Sequence, residues 1–143
     1  MSIVNELNKN FRIDASCEAS LENEIDELIG FSLIKIPNEY LELIREQTEL
    51  EINIWNQKYI RIWGANRCIE MNEAYFIQKY IPHSLAIGDD EGGNAIIYAE
   101  GENGFGVYAV AFNDLDVDEM IFISKSLKEI LISAEGIEKL IEL

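Results

Sequence analysis

The sequence predicts an α+β fold with a largely antiparallel central sheet flanked by N-terminal and C-terminal helices. Three observations lead to this prediction. Apolar residues recur at helical spacing near both ends of the chain, whereas apolar runs of strand length fill its middle. Turn-forming residues join neighbouring runs, as in hairpins. Strands bracketed by helices are typical of α+β domains, and a chain of 143 residues fits one domain over 1–143.

Two amphipathic helices are predicted before residue 50. Ser20 precedes the first as an N-cap, and Gly30 follows it as a C-terminal stop. Pro37 fits the first turn of the second helix, where a backbone N–H is not required. The apolar residues that recur at helical spacing are Leu21, Ile25, Leu28 and Ile29 in the first helix, and Tyr40, Leu41 and Ile44 in the second.

The middle of the chain changes to strand-like patterns. Alternating residues around 52–54 and 60–62 flank Asn56, Gln57 and Lys58, which suit a hairpin turn. The segment 72–80 is interpreted as a short helix that Pro82 ends.

Four further strands are predicted in the second half. The runs 85–87 and 95–99 are joined by a glycine-containing turn, in which Gly supplies positive φ. The runs 106–112 and 120–124 are joined by the acidic link, residues 113–119.

The C-terminal region is predicted to be helical. Ser126 and Glu129 form a capping box, which satisfies orphan N–H groups at a helix start, and the helix runs through Ile132. Beyond Ser133 the apolar residues Ile137, Leu140 and Ile141 indicate one or two further helical turns.

The charge of the chain is strongly negative and unevenly distributed. A formal net charge of −16 repels nucleic acid and anionic lipid, so neither is expected as a ligand. From Tyr80 through Ser124 there is no Lys or Arg. Such a segment is either a solvated surface that favours solubility or a surface matched by a basic partner. Its acids are Asp89, Asp90, Glu91, Glu100, Glu102, Asp114, Asp116, Asp118 and Glu119.

Three segments resemble one known family. Residues 87–94, Ile-Gly-Asp-Asp-Glu-Gly-Gly-Asn, are similar to the central signature of the SUKH superfamily, the group of the yeast Smi and Knr cell-wall regulators and many bacterial immunity proteins. Residues 36–40 are similar to its Leu-Pro-x-x-Tyr helix start, with Ile36 in place of Leu, and residues 121–131 to its closing strand and helix. The resemblance covers about residues 20 to 132 and leaves the tail after Ser133 unmatched.

The resemblance implies an α+β binding module without catalysis. Bacterial members of the family typically neutralise a cognate toxin, often a nuclease, and fungal members suggest the alternative of a regulatory or scaffold protein that binds several partners. We predict an immunity protein that binds a basic toxin domain through an acidic surface. The expected partner-binding residues are Asp89, Asp90, Glu91, Asp114, Asp116, Asp118 and Glu119, with Trp55 or Trp63 as apolar anchors.

The aromatic residues of the first hairpin leave two interpretations open. Trp55, Tyr59 and Trp63 alternate along the chain, so that they either cover the core or expose an anchor for a protein partner. The first interpretation is favoured. Oligomeric state is not predicted, although edge strands leave a homodimer open.

An enzyme is the third and least favoured class. Asp114, Asp116 and Asp118 have the spacing of a calcium loop, but Glu119 stands where the loop needs Gly and Lys125 where it needs a bidentate Glu. We therefore predict no metal site and no cofactor.

The remaining catalytic candidates are weak. His83 is the only histidine, and no neighbouring residue supports its pairing with Cys68 as a thiol dyad. Gly101, Gly104 and Gly106 do not lead from a strand into a helix, as a phosphate-binding loop would. We therefore predict no catalytic site.

Cellular location is predicted from what the sequence lacks. No apolar run approaches the ~18 residues of a membrane span, and the first residues do not resemble a secretory signal. Cys17 and Cys68, far apart in sequence, are expected to be reduced and half-buried thiols. A cytoplasmic location is therefore expected.

Overall fold

A seven-stranded antiparallel sheet dominates the computed structural model, which describes residues 2–143. The strands lie side by side in chain order, so every neighbouring pair is antiparallel and no crossover occurs within the sheet. The predicted antiparallel sheet is confirmed. Its strands are β1 (Phe11–Cys17), β2 (Thr48–Ile54), β3 (Lys58–Ile62), β4 (Leu85–Asp89), β5 (Asn94–Gly101), β6 (Gly104–Ala111) and β7 (Ile121–Ser124).

The helices fall into three pairs along the chain. The first pair lies between β1 and β2, the second between β3 and β4, and the third after β7, so the α+β fold is confirmed. A short 3-10 turn, Val117–Glu119, lies in the acidic link. The helices are α1 (Glu22–Phe31), α2 (Asn38–Ile44), α3 (Ala65–Ala74), α4 (Ile77–Tyr80), α5 (Leu127–Ser133) and α6 (Ile137–Ile141).

The core joins the first hairpin to α2. Tyr40, Leu41 and Ile44 are buried on α2 as the spacing predicts. The Tyr40 hydroxyl donates to the Trp63 carbonyl at 2.6 Å, which anchors α2 at the end of β3. Full burial of an aliphatic side chain contributes about 1.5–3 kcal/mol, so this apolar interface is a major source of stability. The hairpin residues buried with it include Leu50, Ile52, Ile54, Ile60 and Ile62.

The predicted caps of α1 are wrong. Ser20 does not cap α1, because its hydroxyl accepts a hydrogen bond from the Ala65 N–H at 3.0 Å in the first turn of α3. Instead the Glu24 carboxylate accepts from the Leu21 N–H at 2.7 Å and satisfies the helix start. The helix also continues one residue beyond Gly30.

Strand β1 was not predicted from the sequence. It pairs with β2 at the edge of the sheet, and register shifts interrupt the pairing after Ile13 and again after Ala15. Only Phe11 is buried in this strand, so its apolar alternation is too short to stand out.

The predicted helix over 72–80 is two helices with a sharp bend. Helix α3 begins earlier, at Ala65, and Phe76 adopts left-handed φ and ψ of 53° and 43° between α3 and α4. The buried Asn72 side chain fixes α3 to β4, since it donates to the Ala86 carbonyl at 2.8 Å and accepts from the Ala86 N–H at 3.0 Å.

The C-terminal helices complete the core. The Ser126 hydroxyl accepts from the Glu129 N–H at 3.0 Å, so Ser126 is the N-cap of α5 as predicted. In α6, Ile137 and Leu140 are buried, so the tail after Ser133 packs on the same core. Within residues 2–143, no helix combines the length and apolar character needed to cross a membrane.

Candidate functional site

Asp90 organises the glycine turn between β4 and β5. The residue is 3% exposed, and its carboxylate accepts from the Gly92 N–H at 2.9 Å and from the Asn94 N–H and side-chain amide at 2.8 and 2.9 Å. The Lys58 ammonium lies 2.8 Å from the same carboxylate. Burial raises the Asp90 pKa, but the hydrogen bonds from Lys58 and Asn94 outweigh burial and lower it below the usual value. Asp90 therefore holds the turn and does not face solvent.

Asp89 and Trp63 form a second internal contact. The Trp63 indole N–H donates to the Asp89 carboxylate at 2.8 Å, and the same carboxylate accepts from the Glu91 N–H at 2.8 Å. The Trp63 side chain is fully buried, so it covers the core and cannot serve as an exposed anchor. This corrects its inclusion among the expected partner-binding residues.

Basic residues of β3 partly compensate the negative charge of the glycine turn. The segment from Tyr80 through Ser124 has no Lys or Arg of its own, but β3 pairs with β4 and brings Arg61 opposite Asp89. The Arg61 guanidinium pairs with Glu51 and lies 3.7 Å from the Glu91 carboxylate. The acids of this turn are therefore partly neutralised, contrary to the expectation from sequence.

Gly88 explains why the signature contains glycine at this position. A Cβ added to Gly88 would collide with the backbone carbonyl of Arg61, so only glycine permits this approach of β4 to β3. Farther along the turn, Gly93 has φ of 98°, which glycine adopts without strain. The signature segment is thus explained by the geometry of the turn.

The acidic link differs from the glycine turn in its ion pairing. Asp114, Asp116, Asp118 and Glu119 are exposed, and none lies within 4.0 Å of a Lys or Arg side-chain nitrogen in the part of the chain that the structure describes. The Asp116 carboxylate accepts from the Asp118 N–H at 2.8 Å and caps the 3-10 turn. These four carboxylates form the least compensated part of the predicted surface.

The acidic link passes from the glycine turn toward the turn between β5 and β6. Its beginning is fixed beside the glycine turn, because the Phe112 N–H donates to the Gly93 carbonyl at 2.9 Å. Farther on, Asp118 lines a cavity of about 360 Å³ together with Glu100 near the end of β5 and Glu102 in the turn between β5 and β6. The structure thus brings acids that are distant in sequence to one surface.

Trp55 lies in the turn between β2 and β3, next to the glycine turn. Its side chain is 44% exposed, and its indole N–H donates to the Asn10 side chain at 2.8 Å. The Lys58–Asp90 ion pair joins the two turns. Of the two tryptophans predicted as anchors, only Trp55 faces solvent.

An aromatic groove beside the link was missed in the sequence. It lies at the bend between α3 and α4 and has a volume of about 450 Å³. We did not predict the groove because we expected one continuous helix, in which the neighbouring side chains of Tyr75 and Phe76 would point in different directions. The signal in the sequence is the group Tyr75, Phe76 and Tyr80 within six residues. The side chains that line the groove belong to Ala74, Tyr75, Phe76, Tyr80, Phe112, Asn113, Asp114 and Leu115.

The thiols occupy different environments. Cys68 is buried and donates from Sγ to the Ala86 carbonyl at 3.2 Å, and burial raises its pKa to about 12. A protonated buried thiol is a poor nucleophile. Cys17 is exposed, and His83 is exposed on a loop with φ of 55°. The expectation of two half-buried thiols is therefore wrong for both.

The link aspartates do not converge on a common point. Across residues 2–143, no group of three or more His, Cys, Asp or Glu side chains is arranged to hold a metal ion. The calcium-like spacing of Asp114, Asp116 and Asp118 therefore does not correspond to a clustered ligand set.

The profile of the SMI1 / KNR4 family (SUKH-1) matches residues 20–133 of the chain. The match runs from just before α1 to the end of α5 and includes all three segments that carry the resemblance, 36–40, 87–94 and 121–131. A search of curated proteins found no match. Because the profile covers most of the 143 residues, the chain belongs to the SMI1 / KNR4 family (SUKH-1).

Proposed function

We propose that this protein is an immunity protein that binds and neutralises a basic toxin domain, such as a nuclease, through the acidic link. The observation that carries the proposal is the set of exposed carboxylates on the link, at Asp114, Asp116, Asp118 and Glu119, without ion-pair partners in residues 2–143.

Family membership supports a binding role. The SUKH family consists generally of non-catalytic binding modules, and an immunity protein is consistent with that membership. The contacts of the family signature are consistent with a scaffold that presents a separate binding surface. Glu39, Gly88 and Asp90 stabilise the fold, whereas the exposed carboxylates of the acidic link remain available to a partner.

Electrostatics favours a basic protein as that partner. Like charges held close together repel one another in the free protein, and a cationic surface relieves that repulsion on binding. A nuclease presents Lys and Arg to phosphate groups, so a carboxylate-rich surface is complementary to it. Electrostatic steering raises association rates by ~10 to 1,000-fold at low salt, as fast neutralisation of a toxin requires.

The proposed surface is narrower than the sequence suggested. Its centre is the acidic link, which begins beside the glycine turn that carries Glu91. The Lys58–Asp90 ion pair joins the glycine turn to the turn that carries Trp55. Asp89, Asp90 and Trp63 are left out, because they are engaged in internal hydrogen bonds.

Co-expression with the toxin candidate encoded beside the gene tests the function. We expect the protein to restore growth of cells that produce the toxin in their cytoplasm, and to form a one-to-one complex with the purified toxin domain. Co-purification with several unrelated proteins, without rescue, would contradict the proposal and support a regulatory or scaffold role.

A further inference from the structure

Three aromatic side chains of the groove are exposed to solvent. Tyr75 is 40% exposed, Phe76 is 64% exposed and Tyr80 is 49% exposed, and the three lie within six residues. Aromatic residues are enriched at the centres of protein interfaces, where they bury a large area with few rotatable bonds. The groove is therefore a candidate for contact with a partner.

Phe76 is held in a conformation that phenylalanine rarely adopts. Its φ of 53° lies in the left-handed region, where a Cβ approaches the following carbonyl oxygen. Little burial offsets this strain, since most of the Phe76 ring faces solvent. An exposed aromatic residue in a strained conformation is a feature that occurs at binding sites.

Contacts within the protein fix the wall of the groove. The rings of Tyr75 and Phe112 lie 4.3 Å apart between centroids, with an angle of 33° between their planes. Phe112 is itself held to the glycine turn by its N–H, which donates to the Gly93 carbonyl. The Tyr75 ring is thus positioned before any partner binds.

The charge beside the groove is negative. Asp114 lines it, and the chain continues from there to Asp116, Asp118 and Glu119. No Lys or Arg is among the residues that line the groove within the described chain. At its rim the Lys79 ammonium lies 5.5 Å from the centroid of Tyr80, so the Tyr80 ring already has a cation next to it. The exposed rings left for a second cation are Phe76 and the face of Tyr75 that does not pack on Phe112.

We propose that the groove receives an arginine side chain of the basic partner. The guanidinium stacks on the rings of Tyr75 and Phe76, and its N–H groups donate to the Asp114 carboxylate. Arginine fits better than lysine, because its planar group stacks on aromatic rings and pairs with a carboxylate through two hydrogen bonds. This inference rests on the proposed function and adds the anchoring contact to it.

The first test uses two variants with the candidate toxin. Phe76→Asn removes the ring and places in the left-handed conformation a residue that tolerates it. Leu33→Asn is the matched control, since Leu33 is 68% exposed and does not line the groove. We expect Phe76→Asn to weaken toxin binding by about tenfold or more, as loss of an interface anchor does, and Leu33→Asn to leave it unchanged. Equal binding by wild type and Phe76→Asn would overturn the groove assignment and leave the proposed function intact.

The second test does not need the toxin. A glycine–arginine–glycine peptide, blocked at both ends, is titrated into the isotope-labelled protein and followed by NMR. We expect saturable shifts at Tyr75, Phe76 and Asp114, weaker shifts with lysine in place of arginine, and none with uncharged citrulline. Shifts that are equal for arginine and citrulline, or unchanged in Phe76→Asn, would overturn the inference. Failure of wild type to bind the toxin, with a normal arginine titration, would count against the proposed function alone.

Discussion

The carboxylate of Glu39 accepts a hydrogen bond from the hydroxyl of Tyr98 at 2.7 Å and joins α2 to β5. The same carboxylate accepts from the Leu127 and Lys128 N–H groups at 2.8 and 3.0 Å, at the first turn of α5. Burial, followed by the charge of Glu39, raises the pKa of Tyr98 well above its usual value, so the phenol keeps its proton. One residue of the helix-start motif therefore connects the second helix, the sheet and the closing helix.

Substitution Glu39→Ala should destabilise the fold by about 3 kcal/mol, because it leaves the buried Tyr98 hydroxyl unpaired and removes the acceptor of the Leu127 and Lys128 N–H groups at the start of α5. Tyr98→Phe removes only one of the three hydrogen bonds and should cost about 1 kcal/mol. Urea denaturation of both variants measures the difference. Equal losses in the two would show that the contacts to α5 contribute nothing.

Substitution Asp90→Ala should also destabilise the protein, by about 3 kcal/mol, since it removes the carboxylate that pairs with the Lys58 ammonium and leaves the N–H groups of the turn without their acceptor. Lys58→Met keeps the hydrogen bonds from Gly92 and Asn94 and should cost less. Thermal unfolding at neutral pH compares the two, and a greater loss in Lys58→Met would contradict this assignment.

The same contact predicts a pH dependence. The folded pKa of Asp90 is depressed, so its contribution to stability is present above the unfolded pKa of about 3.9 and is lost as pH falls through the folded value. The pKa of Asp14 is also depressed, to about 2, mainly by the hydrogen bond from Arg12 and to a smaller extent by that from Tyr59. Stability should therefore decline between about pH 4 and 2, and less steeply in Asp90→Asn. If the free energy of unfolding fell equally steeply with pH in Asp90→Asn and in the wild type, Asp90 would make no contribution to the acid sensitivity.

Phe76→Asn should stabilise the free protein by about 1 kcal/mol, because asparagine tolerates the left-handed conformation better than phenylalanine. Phe76 is 64% exposed, so removal of its ring loses little buried area. Denaturant midpoints of Phe76→Asn and of the Leu33→Asn control test this. A lower midpoint for Phe76→Asn would mean that the ring stabilises the bend.

The two cysteines should differ sharply in reactivity. Cys17 is exposed, whereas burial raises the pKa of Cys68 to about 12 and shields its sulfur. Iodoacetamide at pH 8 should alkylate Cys17 alone in the native protein and both thiols in denaturant. Peptide mapping by mass spectrometry identifies the labelled residue, and native labelling of Cys68 would indicate that the α3–β4 contact opens readily.

The strands other than β1 and most helices were predictable because their signals are local. Pro37 at a helix start, the Ser126 cap and the glycine turn each depend on a few adjacent residues. The site was less predictable, since Lys58 and Arg61 reach the acidic turn only through strand pairing. Lys58 and Asp90 are 32 residues apart, so their ion pair cannot be read from the composition of either segment.

The aromatic residues show the same limit. Trp55 and Trp63 are equivalent in an alternating pattern. In the structure, Trp55 lies in an exposed turn, whereas Trp63 is buried and its carbonyl accepts from the Tyr40 hydroxyl of α2. Which of two similar side chains is buried depends on the helix that covers it, and that helix precedes the hairpin in sequence.

The most direct test of the acidic surface is calorimetry of the candidate toxin with two charge-matched variants. One carries amides in place of the four link acids Asp114, Asp116, Asp118 and Glu119. The control carries amides at four exposed helical acids without ion pairs in the described residues, Asp26, Glu27, Glu42 and Glu138. Both variants lower the magnitude of the formal charge of −16 by four. We predict at least a hundredfold loss of affinity for the link variant, with reduced salt dependence, and little change for the control. Equal affinities for the two variants would contradict the claim that the link carries recognition.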